Sequence, residues 1–211
     1  MSGILVAFEG IDGSGKTSAA LAVADALRHL EYEVVATREP GGTAPGREIR
    51  KLLLDSDHQL SPETELLLMC ADRAEHMSRV IGPALATGSI VISDRFTGST
   101  RAYQGYGLGL DLAVVDAALL IATGGLIPDL TILFDVDPEI AYARRAGDSA
   151  NVNALDVRDV AYRNRVRDGF RELARQSDCW RIIDASQPLA DVIEQATADV
   201  VSAISTRRIG S

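Results

Sequence analysis

Lysine is almost missing from this chain. Lys16 and Lys51 are its only two, against 21 lysines and arginines in all. Positive charge as a whole is in deficit: 30 acidic residues leave a formal charge of −9 and a pI near 4.8. That balance excludes a broad electrostatic surface for nucleic acid or anionic membrane, so neither partner is expected. It leaves room for anionic substrates, because a few arginines can reverse the potential inside a cleft. Cysteine is equally scarce. Cys70 and Cys179 stand far apart without metal-ligand spacing, so two reduced thiols in a cytoplasmic protein are expected, although spacing alone does not decide whether they pair. No apolar stretch is long enough to cross a bilayer, no cleavable leader is expected before the first strand, and there is no internal repeat or low-complexity tract.

What is present suits one α/β domain spanning residues 1–211, with 46% hydrophobic residues available for a core. Apolar runs alternate with longer helical patterns, the signature of a parallel sheet covered on both faces. Strands are expected at 4–8, 34–37, 90–92, 130–134 and 181–183. Helices are expected from Ser18 to Leu30, with Leu21, Leu27 and Leu30 facing inward, and from Ser61 to about His76. Ser61-Pro62-Glu63 supplies cap, first-position proline and first-turn acid for the second of these. A break or new helix is expected before Pro83. Further helices are expected from Ser99, interrupted around Gly105 to Gly109 and resuming at Asp111, then after Asp137-Pro138, and over 189–204. The small, polar stretch Gly147 to Asn153 reads as a mobile flap.

Between the first strand and the first helix lies Gly10-Ile11-Asp12-Gly13-Ser14-Gly15-Lys16-Thr17, which satisfies G-x-x-x-x-G-K-[ST] at every fixed position. Glycines let successive N–H groups converge on an anion, and the helix that follows points its positive end at the same spot. Lys16 can then reach the β- and γ-phosphates of a nucleoside triphosphate, and the Thr17 hydroxyl can ligate Mg²⁺. Asp94 ends the third strand, where open α/β sheets place their ligands, and a carboxylate there suits Mg²⁺. Arg95 beside it suits an anionic oxygen. Met69 and Arg73, four apart on one helix face, could hold a base and a polar or anionic group of a single ligand.

Four segments together resemble the thymidylate kinases: Phe8 to Thr17, Arg38-Glu39-Pro40-Gly41-Gly42-Thr43, Ala71-Asp72-Arg73-Ala74-Glu75-His76, and Asp94-Arg95-Phe96 leading to Ser99 and Ala102-Tyr103-Gln104-Gly105. The last third matches more loosely, through Asp135-Val136, Arg144, Arg165-Val166-Arg167 and Ile183-Asp184-Ala185. The resemblance implies a five-stranded parallel sheet of the nucleoside-monophosphate-kinase kind and transfer of the γ-phosphoryl of MgATP to dTMP. It also implies a homodimer assembled through helices. By position, Asp12 matches the acidic residue of the phosphate loop, Arg73 and Arg95 the arginines that hold the monophosphate, and Arg144 the arginine lying against adenine. Glu39, Pro40, Arg50, Met69, Ser99, Tyr103 and Gln104 fall at the dTMP pocket, and residues 10–17 hold ATP. Lys16, Arg95 and an arginine bordering the flap supply charge to the transferring group.

Two departures from the family pattern stand out. Methionine replaces the usual phenylalanine at position 69, keeping contact with a base but losing a flat π face. Gly13 excludes a catalytic arginine from the phosphate loop, yet the flap (about 144–156) is poor in arginine. Arg145 and Arg158 are the candidates, and the sequence does not choose between them. Three alternatives stay open: a sibling kinase for another or modified pyrimidine monophosphate, a weakly catalytic nucleotide-binding regulator, and an NTPase switch or motor.

Overall fold

A computed structural model describes residues 3–55, 59–146 and 159–209. Its centre is a five-stranded sheet in the order β2-β3-β1-β4-β5, formed by β1 (Ile4–Glu9), β2 (Val34–Arg38), β3 (Ile90–Asp94), β4 (Leu130–Asp135) and β5 (Trp180–Asp184). Every pairing is parallel; Val6 sits between Ile92 and Leu130. All of β1 and β3 is buried, as their continuous apolar runs require when helices cover both faces. Phe8 and Phe134 pack ring to ring at 5.0 Å beneath the phosphate loop.

Helix α1 (Lys16–His29) begins two residues earlier than its apolar pattern suggests, because Gly15 caps it in the left-handed conformation. Lys16 and Thr17 therefore occupy the first turn, where unpaired N–H groups gather. Its buried stripe is Ala19, Ala20, Val23, Ala24 and Leu27. Leu21 and Leu30, expected inward, are instead more than half exposed: Leu21 lies off the arc set by the other five, and Leu30 is the C-cap residue beyond the last helical turn. Helix α3 (Pro62–His76) starts as expected, Ser61 Oγ accepting from Thr64 N. It continues without a break through a π-helical turn (Met77–Ile81) into α4 (Gly82–Ala86). A short α5 (Thr97–Thr100) runs into a second π-helical turn, Arg101–Gly107, before α6 (Leu112–Thr123). Asp137 starts α7 (Pro138–Ala146), and α9 (Leu189–Ile209) closes the fold.

Two helices escape the sequence pattern. Helix α2 (Ala44–Leu54) carries Pro45 and Gly46 in its first turn, poor helix formers in the interior that Thr43 compensates by accepting from Gly46 N. Helix α8 (Val160–Arg175) is rich in charge; Tyr162, Val166, Gly169 and Phe170 are its buried residues, with Leu173 and Ala174 packed partly buried against the core. The cysteines are free, Cys70 buried and Cys179 partly so, and burial pushes the Cys70 thiol up from its ordinary pKa. No helix among the described residues is long and apolar enough to cross a membrane. Residues 147–158, which include most of the expected flap and Arg158, lie outside the described residues.

Candidate active site

The phosphate loop folds as its glycines demand. Gly10, Gly13 and Gly15 all take positive φ, and a Cβ at Gly13 would run into the Ala141 carbonyl. A side chain of any size is therefore excluded from position 13 in this conformation, which agrees with the absence of a loop arginine. Lys16 is buried, its Nζ 3.3 Å from the Ile11 carbonyl and 3.7 Å from Asp12. Burial lowers its proton affinity. Ser14 Oγ is buried without a partner among the described residues.

Thr17 Oγ1 donates to Asp94 Oδ2 at 2.5 Å, while Asp94 Oδ1 is buried with no partner among the described residues. One hydroxyl and one unsatisfied carboxylate oxygen, side by side next to the phosphate loop, fit Mg²⁺, which takes one or two protein oxygens and fills its shell with phosphate and water.

Arg95 is the pivot of the site. It adopts φ +75°, unusual for a residue with a side chain. Three hydrogen bonds hold it there: Arg95 N donates to Phe8 O at 2.9 Å, Ser93 Oγ donates to Arg95 O at 2.7 Å, and Phe96 N donates to Glu9 Oε1 at 2.9 Å. From this position one guanidinium touches two compartments. Nη1 donates to Gly10 O (3.1 Å) and Ser99 Oγ (2.8 Å), and Nη2 donates to Asp12 Oδ1 (2.8 Å) and Tyr103 Oη (3.2 Å). It lies 5.0 Å over the Tyr103 ring as well. Burial opposes its charge, but Tyr103, Asp12, Asp94 and Glu9 outweigh that and raise its pKa. Partial burial pushes the Asp12 carboxyl up, yet Arg95, then Lys16 and Arg145, hold it well below the ordinary carboxylate range.

Glu9 had no assigned role in the sequence reading, and it organises this corner. Completely buried at the end of β1, it accepts from Phe96 N and Ser99 N on one oxygen and from Ser99 Oγ at 2.5 Å on the other. Burial raises its pKa. The available signal was an acid ending a strand that is otherwise wholly apolar.

Beside Arg95 opens a cleft lined by Pro40, Arg50, Glu65, Met69, Ser99, Tyr103 and Gln104, with Asp12 at its mouth. Arg50 donates to the Pro40 carbonyl at 2.9 Å. Burial first, then the charges of Arg38 and Arg95, depress its proton affinity; Arg50 and Arg95 both line this cleft, where an anion would offset their repulsion. Arg38 also lacked an assigned role in the sequence reading.

Glu39 and Arg73 do not line this cleft; they brace it. Both are buried, Arg73 Nε donating to Glu39 Oε2 at 2.7 Å, Nη1 to Thr100 Oγ1 and Nη2 to the Phe96 carbonyl, each at 2.9 Å. His76 Nδ1 lies 2.8 Å from the other Glu39 oxygen. A buried carboxylate at this depth needs compensation; the Arg73 guanidinium supplies it and, through the Phe96 carbonyl, also anchors the segment that follows Arg95. On the opposite flank, Arg145 Nη1 approaches Asp12 Oδ2 at 3.8 Å. Arg144 donates to the Ala185 carbonyl at 2.8 Å, just ahead of α9.

Comparisons with known proteins agree with this geometry. A family model described as thymidylate kinase matches residues 8–196. The thymidylate kinase of Gloeobacter violaceus is 44% identical over 199 residues, 93% of this chain and 94% of that protein. That of Desulfosudis oleivorans is 44% identical over 197 residues, 90% and 92% of the two chains. Among solved structures, thymidylate kinase from Ehrlichia chaffeensis superposes with a TM-score of 0.78 at 34% identity, over 95% of this chain and 99% of that one. A phosphate loop, a carboxylate–hydroxyl pair beside it and a cation-lined acceptor cleft thus occur in a chain that belongs to the thymidylate kinase family.

Proposed function

We propose that this enzyme moves the γ-phosphoryl group of MgATP to the 5′-phosphate of dTMP, giving dTDP for DNA precursor supply. The observation that carries the reading is the Arg95 guanidinium, which bonds at once to the phosphate loop (Gly10, Asp12) and to the acceptor cleft (Ser99, Tyr103). The acceptor is already an anion, so no strong general base is required. The barrier lies in bringing two polyanions end to end, and fixed positive charge lowers it.

Residues 10–17 wrap the triphosphate, with Lys16 beside its outer phosphates and the buried Ser14 hydroxyl available to it. Thr17 and Asp94 would hold Mg²⁺, which when bound screens the phosphate oxygens. Pro40 and Met69 flank the base, Gln104 meets its polar edge, and Tyr103 with Asp12 borders the sugar. Arg50 and Arg95 take the acceptor phosphate. Arg145 covers the flank toward the flap, and Arg144 stacks on adenine.

The remaining expectations rest on surface character. Val114 and Ile121, seven apart on α6, are 56% and 85% exposed, and Leu67 on the neighbouring α3 is 64% exposed. We assign this stripe to a homodimer contact, since such a patch is unusual on a lone subunit. Ile121→Asp is expected to shift the protein to monomer in size-exclusion chromatography with light scattering. An unchanged elution mass removes this assignment. Residues 1–211 act as one functional unit in the cytoplasm.

The deciding experiment is a coupled assay of ADP release with MgATP fixed and dTMP, dUMP, dCMP, dGMP and modified pyrimidine monophosphates varied. ADP release dependent on dTMP and strongest with it supports the reading. Preference for another monophosphate indicates a sibling kinase, tight binding without transfer indicates a regulator, and release independent of any monophosphate indicates an NTPase.

A further inference from the structure

An acid lines the acceptor cleft where a neutral base is expected to lie. Glu65, in the first turn of α3, is only 5% exposed. Across the cleft wall, Gln104 is 2% exposed and its Nε2 lies 3.3 Å from Glu65 Oε2. The other end of the same amide, Gln104 Oε1, is buried with no partner among the described residues. Carboxylate oxygens only accept, whereas an amide offers one accepting and one donating end. The amide must therefore turn its NH₂ to Glu65, which leaves its oxygen as the unsatisfied acceptor in a cleft lined also by Met69 and Pro40.

We propose that Glu65 is a positioning residue for base selection: by locking the Gln104 amide in one orientation, it makes the cleft prefer pyrimidines that carry N3–H over cytosine. Thymine and uracil donate from N3 to the waiting oxygen. Cytosine presents a lone pair at the same ring position, and the two acceptors repel while Gln104 stays unsatisfied, a costly arrangement for a buried group. Selection against cytosine is thus set one residue back from the contact itself. The inference rests on the dTMP-phosphorylating reading above and adds the device that orients its base-reading group.

The test compares kcat/KM for dTMP with kcat/KM for dCMP in the parent enzyme and its variants, with melting temperature followed in parallel. Glu65→Leu removes the acceptor and frees the amide to turn, so the dTMP:dCMP ratio is expected to fall at least about tenfold, mainly through a raised KM for dTMP. Glu65→Gln keeps the shape but can face Gln104 with either end. Its ratio is expected between those of the parent and the leucine variant, and it carries the test should Glu65→Leu not fold. If Glu65 acts through Gln104, adding Glu65→Leu to Gln104→Leu changes the ratio no further. A ratio within about twofold of the parent in both Glu65 variants, or an undiminished Glu65 effect on the Gln104→Leu background, overturns the proposal while leaving thymidylate phosphorylation intact. A parent enzyme inactive toward dTMP overturns the functional reading itself, and this inference with it.

Discussion

Arg95→Ala is expected to lower kcat for dTMP phosphorylation at least roughly 30-fold, equivalent to about 2 kcal/mol of transition-state stabilisation. The guanidinium is held before substrate arrives: its backbone is pinned by Phe8, Ser93 and Glu9, and its fork is aimed by Asp12 and Ser99. A charge that is already in place need not reorganise during the reaction, which is where electrostatic catalysis gains most. Arg95→Lys retains the charge but loses the two-sided fork, so it should recover only part of the rate. Steady-state kinetics, paired with separate measurement of dTMP binding, distinguishes the two losses. Turnover by the alanine variant within threefold of the parent would remove Arg95 from the mechanism.

Arg73→Ala should act on stability first. It strips a buried cation from Glu39, leaves the Thr100 hydroxyl and Phe96 carbonyl without their donor, and opens space beneath the Phe96 ring, 5.4 Å from the guanidinium. Breaking one side of a buried ion pair costs about 3–5 kcal/mol. In a chain of this size that corresponds to a fall in melting temperature on the order of 10 °C. His76 remains beside Glu39 at 2.8 Å and softens the loss. Thermal unfolding of parent and variant, each with and without dTMP, checks the expectation. A melting temperature unchanged within about two degrees, with dTMP binding abolished, would instead make Arg73 a direct substrate contact.

The two arginines show what each level of information carries. Both stand in recognisable local sequence, Arg95 behind a strand-ending Asp and Arg73 in a helical stripe, and both were expected at the monophosphate. Tertiary structure separates them. Arg95 emerges at the mouth of the cleft, whereas Arg73 meets Glu39 from 34 positions away and disappears into the wall. No local pattern reveals a pairing across that distance. Glu9 is the same case over a longer span, reaching Ser99 across 90 positions.

Helices divide in a similar way. Those beginning at Ser61 and Asp111 were legible because cap and apolar period agree, and each cap oxygen accepts a first-turn N–H in the fold. Helix α2 hides behind Pro45 and Gly46, and α8 behind its charges, so only packing against neighbours makes them helical. Leu21 and Leu30 were placed inward on helical spacing, but Leu21 sits off the buried face of α1 and Leu30 at its C-cap.

By itself, the sequence determined the strands, the anion-binding turn at residues 10–17 and the placing of Asp94 and Arg95 at the end of the third strand, because each depends on neighbours within a few positions. Tertiary structure alone decided which charges line the cleft and which are buried in its wall, and that Glu65 meets the Gln104 amide across 39 positions. Burial and ion pairing depend on what the fold brings together in space, and chain order does not encode those distances locally.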